Sequence, residues 1–223
     1  MTSQTVASPP TAGSPPGSDL PAPFSLDISS ILSLLPNDAA LDEWFLRFAS
    51  DNDESGYQFE IDQHGRLWAM ASEGLDGQQR QFNLQFDLQN WLSTGPGGAV
   101  VIGNALVRLP GFGRKAADAG WISPEQLEDL PPAGQRPFGI PFAPRFVVET
   151  RSQSDSLESQ QSKMEEWKSY GVAVGWLIDP FARQVHVYRP DAEPEVLDDP
   201  ETIDGGPELV GFVFDVRRRV FDL

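Results

Sequence analysis

Two charged residues stand in a run of sequence that is otherwise typical of a buried strand. The run Phe146-Val147-Val148-Glu149-Thr150-Arg151 is rich in β-branched residues, which favour strands. Side chains of a strand alternate between its two faces, so Glu149 and Arg151 share one face. A charge on a buried face is costly unless a partner, a metal or solvent receives it. The pattern therefore predicts a partner, a metal or solvent opposite Glu149, and the alternative for this charged pair is a cross-strand salt bridge.

The residue types available restrict the metals that the chain could bind. The sequence has no cysteine and only two histidines, His64 and His186, which are far apart. Thiolate sites, disulfides and histidine-rich zinc sites are therefore disfavoured. Oxygen ligands remain, and these favour hard cations such as magnesium.

The charge of the chain argues against a nucleic-acid partner. The formal net charge is -17, whereas proteins that bind polyphosphates normally present a basic surface. Basic residues nevertheless gather in three places, and they are either solvated charges or local binding surfaces. These groups are Arg108, Arg114 and Lys115, then Arg145 and Arg151, and the terminal run Arg217-Arg218-Arg219.

Composition divides the chain into a leader and one domain. Residues 1–25 consist mainly of Pro, Ser, Thr, Ala and Gly and cannot bury enough apolar surface to fold, so we predict a disordered leader. Residues 26–223 then form a single domain. The sequence shows no signal peptide and no apolar run of about 18 residues, so no membrane is expected and a cytoplasmic location is predicted.

The apolar spacing predicts alternating helices and strands. Two short helices separated by Pro36 are expected between residues 27 and 49, followed by a hairpin over 57–71 and a helix over 78–92. Strands around a turn are expected over 99–109. A further helix is expected to begin near Ser156 and to end at Gly171. The pattern favours an α/β fold with a mixed β-sheet flanked by helices.

Several ordered blocks of sequence resemble the Uma family of restriction endonucleases, a branch of the PD-(D/E)XK nuclease superfamily. The likeness extends from about Ile31 to the C-terminus. The blocks are Phe146 to Leu157, Lys163-Met164-Glu165-Glu166-Trp167, Gly175 to Pro180, Val187 to Pro190, Ala117 to Trp121, and Gly211 to Asp215.

The resemblance implies a restriction-endonuclease-like core that hydrolyses phosphodiester bonds, with DNA as the substrate. Asp118 resembles the aspartate of the family motif, and Glu149 resembles the acidic residue of the (D/E)XK strand. By the same resemblance, these carboxylates and the backbone carbonyl of Thr150 are expected to bind Mg²⁺ or Mn²⁺. Asp118 taken alone could instead be a turn residue that opens a strand.

The lysine of the superfamily motif is displaced in this sequence. Arg151 stands where that lysine would be, and a guanidinium can clamp a phosphate but does not readily exchange a proton. Lys163, on the following helix, resembles the displaced lysine of the family. We therefore expect Lys163 to act on the phosphate or the attacking water, with Arg151 steering the phosphate. The alternative is that Lys163 is an exposed helix residue.

Three further positions affect the expected activity. Asn83 takes the helix position at which relatives often carry an acidic residue, and Ala117 takes the place of a proline before Asp118. Glu60 is interpreted as a surface residue of the hairpin, with a ligand role as the alternative.

The sequence leaves two functions open. The first is a metal-dependent endonuclease, and the second is a catalytically weak or inactive nuclease-fold protein that acts as a scaffold or binds another protein. A homodimer is expected in both cases, since symmetric pairs are the commonest assemblies.

Overall fold

The computed structural model describes residues 23–103, 105–136 and 139–223, and the elements below are those of this part of the chain. The strands are β1 Phe24–Asp27, β2 Tyr57–Ile61, β3 Arg66–Ala71, β4 Ala99–Ile102, β5 Val107–Arg108, β6 Arg114–Lys115, β7 Ala119–Ile122, β8 Phe146–Thr150, β9 Val174–Asp179, β10 Gln184–Tyr188, β11 Glu195–Asp198, β12 Ile203–Asp204 and β13 Val213–Phe214. The helices are α1 Ser29–Leu32, α2 Asp38–Asp51, α3 Leu75–Leu92, α4 Pro124–Glu128 and α5 Leu157–Ser169. A 3-10 turn covers Asp53–Ser55, and a π-helical turn covers Arg217–Phe221.

The strands form one large mixed sheet and one smaller antiparallel sheet. The large sheet has the order β11-β10-β9-β8-β7-β4 and contains one parallel pair, β8 with β9. The small sheet has the order β1-β3-β2-β6-β5, and β12 pairs with β13 separately. The predicted α/β class, a mixed sheet flanked by helices, is confirmed.

Alternation along β8 divides the core between the two faces of the large sheet. Phe146 and Val148 belong to the cluster that includes Leu84 and Leu88 of α3. Val147 belongs to the cluster on the opposite face, with Met164 and Trp167 of α5. Helix α5 can lie close to β9 because Gly175 has no side chain, since a Cβ there would stand 2.5 Å from Cε of Met164. The period-two pattern thus places Glu149 on the face that α5 covers.

The small sheet has its own core, which α1 and α2 cover. Their buried residues Leu32, Leu41 and Phe45 pack with Ile61 of β2. Helix α2 begins at Asn37, whose side chain accepts a hydrogen bond from the Ala40 amide at 3.0 Å, a typical N-cap. Two helices therefore cover this sheet, as the sequence predicts.

The start of the folded domain and the arrangement of the strands over 99–109 differ from what the sequence suggests. Most of the predicted leader, residues 1–22, lies outside the described residues, but Phe24 and Ser25 belong to β1 and pair with Ala69 and Trp68 of β3. The two strands expected over 99–109 are present as β4 and the shorter β5, but they belong to different sheets. Strand β4 pairs with β7, whereas β5 pairs with β6 in the other sheet, because a tight turn closed by the Leu109 amide and the Gly113 carbonyl joins β5 to β6.

No helix in the described ranges is both long enough and apolar enough to cross a bilayer.

Candidate active site

A cavity of about 460 Å³ lies between the two sheets, and all the predicted site residues except Arg151 meet in it. Asp118 immediately precedes β7, Glu149 and Thr150 end β8, and Lys163 lies on α5. All four residues line the cavity. The fold therefore brings together the positions that the family resemblance selects.

The carboxylate of Glu149 is buried and held by helix α5. Its exposed fraction is 3%, and its Oε1 accepts a hydrogen bond from Nε1 of Trp167 at 2.8 Å. Nζ of Lys163 lies 3.0 Å from the same oxygen and 3.1 Å from Oε2. The partner opposite Glu149 is therefore on α5, and the alternative of a cross-strand salt bridge is wrong for Glu149.

The ammonium of Lys163 connects both sheets. Besides Glu149, Nζ donates to Oε1 of Glu60 at 3.0 Å and to the carbonyl of Ala116 at 3.3 Å. The side chain is only 14% exposed, so the interpretation of Lys163 as an exposed helix lysine is wrong. Burial alone would lower the pKa of Lys163, but the carboxylates of Glu149 and Glu60 outweigh it and raise the pKa above its ordinary value. The lysine is therefore charged throughout the physiological range.

Asp118 is held between β8 and α3. Its Oδ2 accepts a hydrogen bond from the Thr150 amide at 2.7 Å, and its Oδ1 accepts one from Nε2 of Gln81 at 2.9 Å. Gln85 Nε2 donates to the Asp118 carbonyl at 2.9 Å. Burial raises the pKa of Asp118, and the nearby Glu73 raises it further. These contacts fix Asp118 in the cavity, so it is more than a turn residue that opens β7.

Glu60 is a site residue that the sequence analysis placed on the surface. It is 7% exposed, lines the cavity, and its Oε1 also accepts a hydrogen bond from the Ala116 amide at 3.3 Å. The interpretation as a surface residue is therefore wrong. Glu60 alternates with the apolar residues Phe59 and Ile61, a pattern typical of a residue on the solvated face of a strand, so local spacing gives no signal of its burial.

Glu73 is a fourth acidic residue of the cavity, and it is not among the residues predicted from the sequence. It lies just before α3, and its buried Oε2 has no hydrogen-bond partner among the described residues. Burial raises its pKa to about 7, and the negative charge of Asp155 acts in the same direction. The side chain folds over Gly77, where a Cβ would stand 2.5 Å from Oε2. Glycine at position 77 is therefore what allows Glu73 to adopt this position.

Asn83 does not face the cavity. Its amide donates to the carbonyl of Arg219 at 2.9 Å and accepts a hydrogen bond from Gln79 at 3.0 Å, so it joins α3 to the C-terminal turn. The α3 residue that reaches Asp118 is Gln81 instead. Ala117 is buried in the core under α5. The two departures from the family pattern therefore lie outside the cluster of site carboxylates.

By the period-two pattern Arg151 belongs to the same face as Glu149, but its side chain contacts the neighbouring strand β9. Its Nε lies 2.9 Å from Oδ2 of Asp179 in an ion pair, and its guanidinium stands 4.8 Å from the centre of the Phe181 ring. The structure thus does not bring Arg151 into the cluster around Lys163, and its phosphate-steering role stays a prediction.

The side chains of the cavity suit a hard divalent cation. The donors are carboxylate oxygens, which Mg²⁺ and Mn²⁺ prefer. Burial raises the pKa values of Asp118 and Glu149. The negative charge of Glu73 raises the pKa of Asp118 further, and the negative charge of Asp118 raises that of Glu149. Added positive charge would relieve this repulsion. Over the described ranges, no three His, Asp or Glu side chains are already grouped as a metal site.

Comparisons with known proteins bear on the family and the fold of the chain. Residues 42–217 match the model of the Uma2 family, described as "Putative restriction endonuclease". A solved structure, a "putative nuclease belonging to DUF820" from Anabaena variabilis, superposes with a TM-score of 0.64 at 18% identity, covering 74% of this chain and 89% of that chain. At this identity the likeness shows the fold alone. The comparison with curated proteins gives no match.

Proposed function

Because the chain belongs to the Uma2 family of restriction-endonuclease-like proteins, we propose that it hydrolyses phosphodiester bonds in DNA with the help of Mg²⁺ or Mn²⁺. The observation that carries the proposal is the convergence of Asp118, Glu149 and Lys163 in one cavity. A purely structural ion pair in a core would be packed over on all sides, whereas these three side chains line an open cavity.

The carboxylates of Asp118 and Glu149, with the backbone carbonyl of Thr150, would hold the cation. When bound, a divalent ion supplies a Lewis acid that offsets charge on the scissile phosphate and makes a nearby water more acidic. The side chains that already contact the two acids, Gln81 and Trp167, keep them in place for this task.

Lys163 would stabilise negative charge on the phosphate. Its raised pKa keeps it protonated, so it acts as an electrostatic partner and not as a base. Glu60 and Glu149 both accept hydrogen bonds from its Nζ, which restricts the ammonium to the floor of the cavity. Charge that develops on phosphate oxygens would then meet a fixed positive group.

Glu73 would take the proton of the attacking water. Its Oε2 has no partner in the described part of the chain, and its pKa of about 7 suits a general base at neutral pH. In the reaction, the water oxygen forms a bond to phosphorus and one phosphorus–oxygen bond to a sugar breaks. The departing oxygen takes a proton from solvent, and the products are a phosphate monoester and a hydroxyl group.

A nicking assay on circular DNA, supplied both as supercoiled duplex and as single strand, tests the proposal. We expect nicking that depends on added Mg²⁺ or Mn²⁺, and we expect Glu149→Ala and Asp118→Asn to abolish it. Glu165→Ala is the matched control, since Glu165 lies on the exposed side of α5 and forms only a surface ion pair with Lys168. Undiminished nicking by Glu149→Ala would refute the assignment of the site.

One observation favours the alternative of a scaffolding protein, namely the net charge of -17. Binding measured by anisotropy at low salt in the presence of Ca²⁺ separates the two functions. A nuclease must bind DNA under these conditions, and the binding must weaken as salt is added. No binding at any salt concentration would favour the scaffold.

A further inference from the structure

The acidic side chains of the site line a small cavity. The cavity holds about 460 Å³ and has walls from both sheets. This volume is typical of pockets for small ligands. Glu149 is only 3% exposed, so a phosphate must enter the cavity to approach it. A space of this size can accommodate about one nucleotide.

The surroundings of the cavity offer few contacts for additional phosphates. Asp53 and Asp155 line it together with the four acids already described, and Lys163 is the only basic residue among the lining residues that the structure describes. Of the sixteen Lys and Arg residues, all in the described ranges, only Arg66, Arg80, Arg136 and Arg145 form no ion pair there. None of these four lines the cavity.

Two of the three basic groups noted in the sequence are largely occupied by carboxylates. Nε of Arg114 lies 2.6 Å from Oδ1 of the buried Asp42, and Arg108 binds the other oxygen of the same carboxylate. Arg219 pairs with Asp87 at 2.9 Å. Duplex binding normally rests on several phosphate contacts, and these arginines are already bound within the protein.

Part of the cavity wall is apolar and suits a base more than a phosphate. Tyr57, Met70 and Leu46 line it, and each is only partly buried. The Tyr57 ring also packs edge-on against Phe24, with 5.6 Å between the ring centres. Aromatic and apolar side chains of this kind bind unpaired bases by stacking, and every base has a face that can stack.

We infer that the site acts on an unpaired DNA strand, with one nucleotide inserted so that its phosphate meets Lys163 and its base meets the apolar wall around Tyr57. The inference rests on the proposed nuclease function. Most of the binding energy should then come from stacking of the base on this wall. The protein should neutralise only one or two phosphates of the strand. Intact duplex cannot present a base to this wall without extruding it.

The full-length protein with Mn²⁺ is assayed on one labelled oligonucleotide as a single strand and as a perfect duplex, and on bis(p-nitrophenyl) phosphate. We expect the small diester and the single strand to be hydrolysed, with at least a tenfold preference for the single strand over the duplex. Equal or faster cleavage of the duplex, with the small diester also hydrolysed, would overturn the inference and leave the proposed function intact. If no substrate is hydrolysed, both fall.

Salt and substitution give a second test on the single strand. The logarithm of KM plotted against the logarithm of the salt concentration should have a slope of about 1, corresponding to one or two phosphates. Tyr57→Ala should raise KM for the single strand about tenfold. Phe24→Ala is the matched control, because it removes the same ring contact but Phe24 does not line the cavity. An equal rise in KM for both variants, or no rise for Tyr57→Ala, would contradict the role of the wall.

Discussion

Nζ of Lys163 lies 3.0 Å from Oε1 of Glu60, and this contact joins helix α5 to strand β2 across the boundary between the two sheets. Both side chains are largely buried. The ion pair therefore holds helix α5 and strand β2 together at the cavity. Losing this contact would affect both the stability of the fold and the geometry of the site.

Lys163→Met should destabilise the protein by about 3 kcal/mol, because it leaves Glu60 and Glu149 buried without their positive partner. Urea unfolding followed by tryptophan fluorescence measures the loss. Lys168→Met on the same helix is the control, and it should cost less than about 1 kcal/mol because its ion pair with Glu165 is at the surface. Equal effects of the two substitutions would show that the Lys163 contacts contribute no more than a surface pair.

Trp167→Phe should lower nuclease activity at least tenfold, because it removes the N–H that orients Glu149 at 2.8 Å while keeping an aromatic ring in the core. The lost hydrogen bond should also cost about 1 to 2 kcal/mol of stability. Trp91→Phe is the matched control, since Trp91 Nε1 donates to the Val210 carbonyl at 3.0 Å, away from the cavity. It should lose similar stability and retain activity, and full activity in Trp167→Phe would contradict the positioning role.

The local patterns of the sequence predict the strand that carries Glu149 and the helix that covers it. Period two correctly places Glu149 and Val147 on the face under α5. The same alternation puts Arg151 on this face, but it cannot show that Asp179 of β9 stands beside it. Which strands are neighbours depends on long-range pairing, and local spacing does not contain that information.

The site residues that were not predicted from the sequence belong to elements that reach the site only through the tertiary fold. Glu60 comes from the small sheet, and Glu73 comes from the turn before α3. Gln81 of α3 contacts Asp118 whereas Asn83 contacts the Arg219 carbonyl, and the assignment of Asn83 to the position that is often acidic in relatives stays a prediction. Asp118 and Lys163 were found through the family resemblance and not through local periodicity. The homodimer stays a prediction.

Gly77→Ala should reduce activity without reducing stability. A Cβ at this position would stand 2.5 Å from Oε2 of Glu73, so the carboxylate must leave its place in the cavity. Alanine is favoured over glycine within a helix by about 1 kcal/mol, so the thermal midpoint should stay the same or rise. Loss of kcat with a retained midpoint supports the role of Glu73, and an unchanged kcat would show that its position is not needed.

The free energy of unfolding should fall as the pH rises from about 5 to about 8, because the Glu73 carboxyl must then ionise in a buried place that disfavours negative charge. Its pKa is raised from 4.5 to about 7, chiefly by burial. The folded state therefore holds this proton more tightly than the unfolded chain, and the stabilisation present below the unfolded pKa is lost as the pH passes through the folded pKa. Unfolding free energies of the wild type and Glu73→Gln at several pH values measure the effect. The variant should show a smaller decline, and parallel curves would contradict the assignment.

Mg²⁺ should stabilise the folded protein more at pH 8 than at pH 5, because a cation binds ionised carboxylates and the raised pKa values of Asp118 and Glu149 keep them protonated at the lower pH. A ligand at one hundred times its Kd stabilises by about 2.7 kcal/mol, which a thermal unfolding scan detects easily. Asp118→Asn should abolish the shift, whereas Glu165→Gln on the exposed side of α5 should retain it. The same Mg²⁺ shift in Asp118→Asn as in the wild type would place the bound cation outside the proposed site.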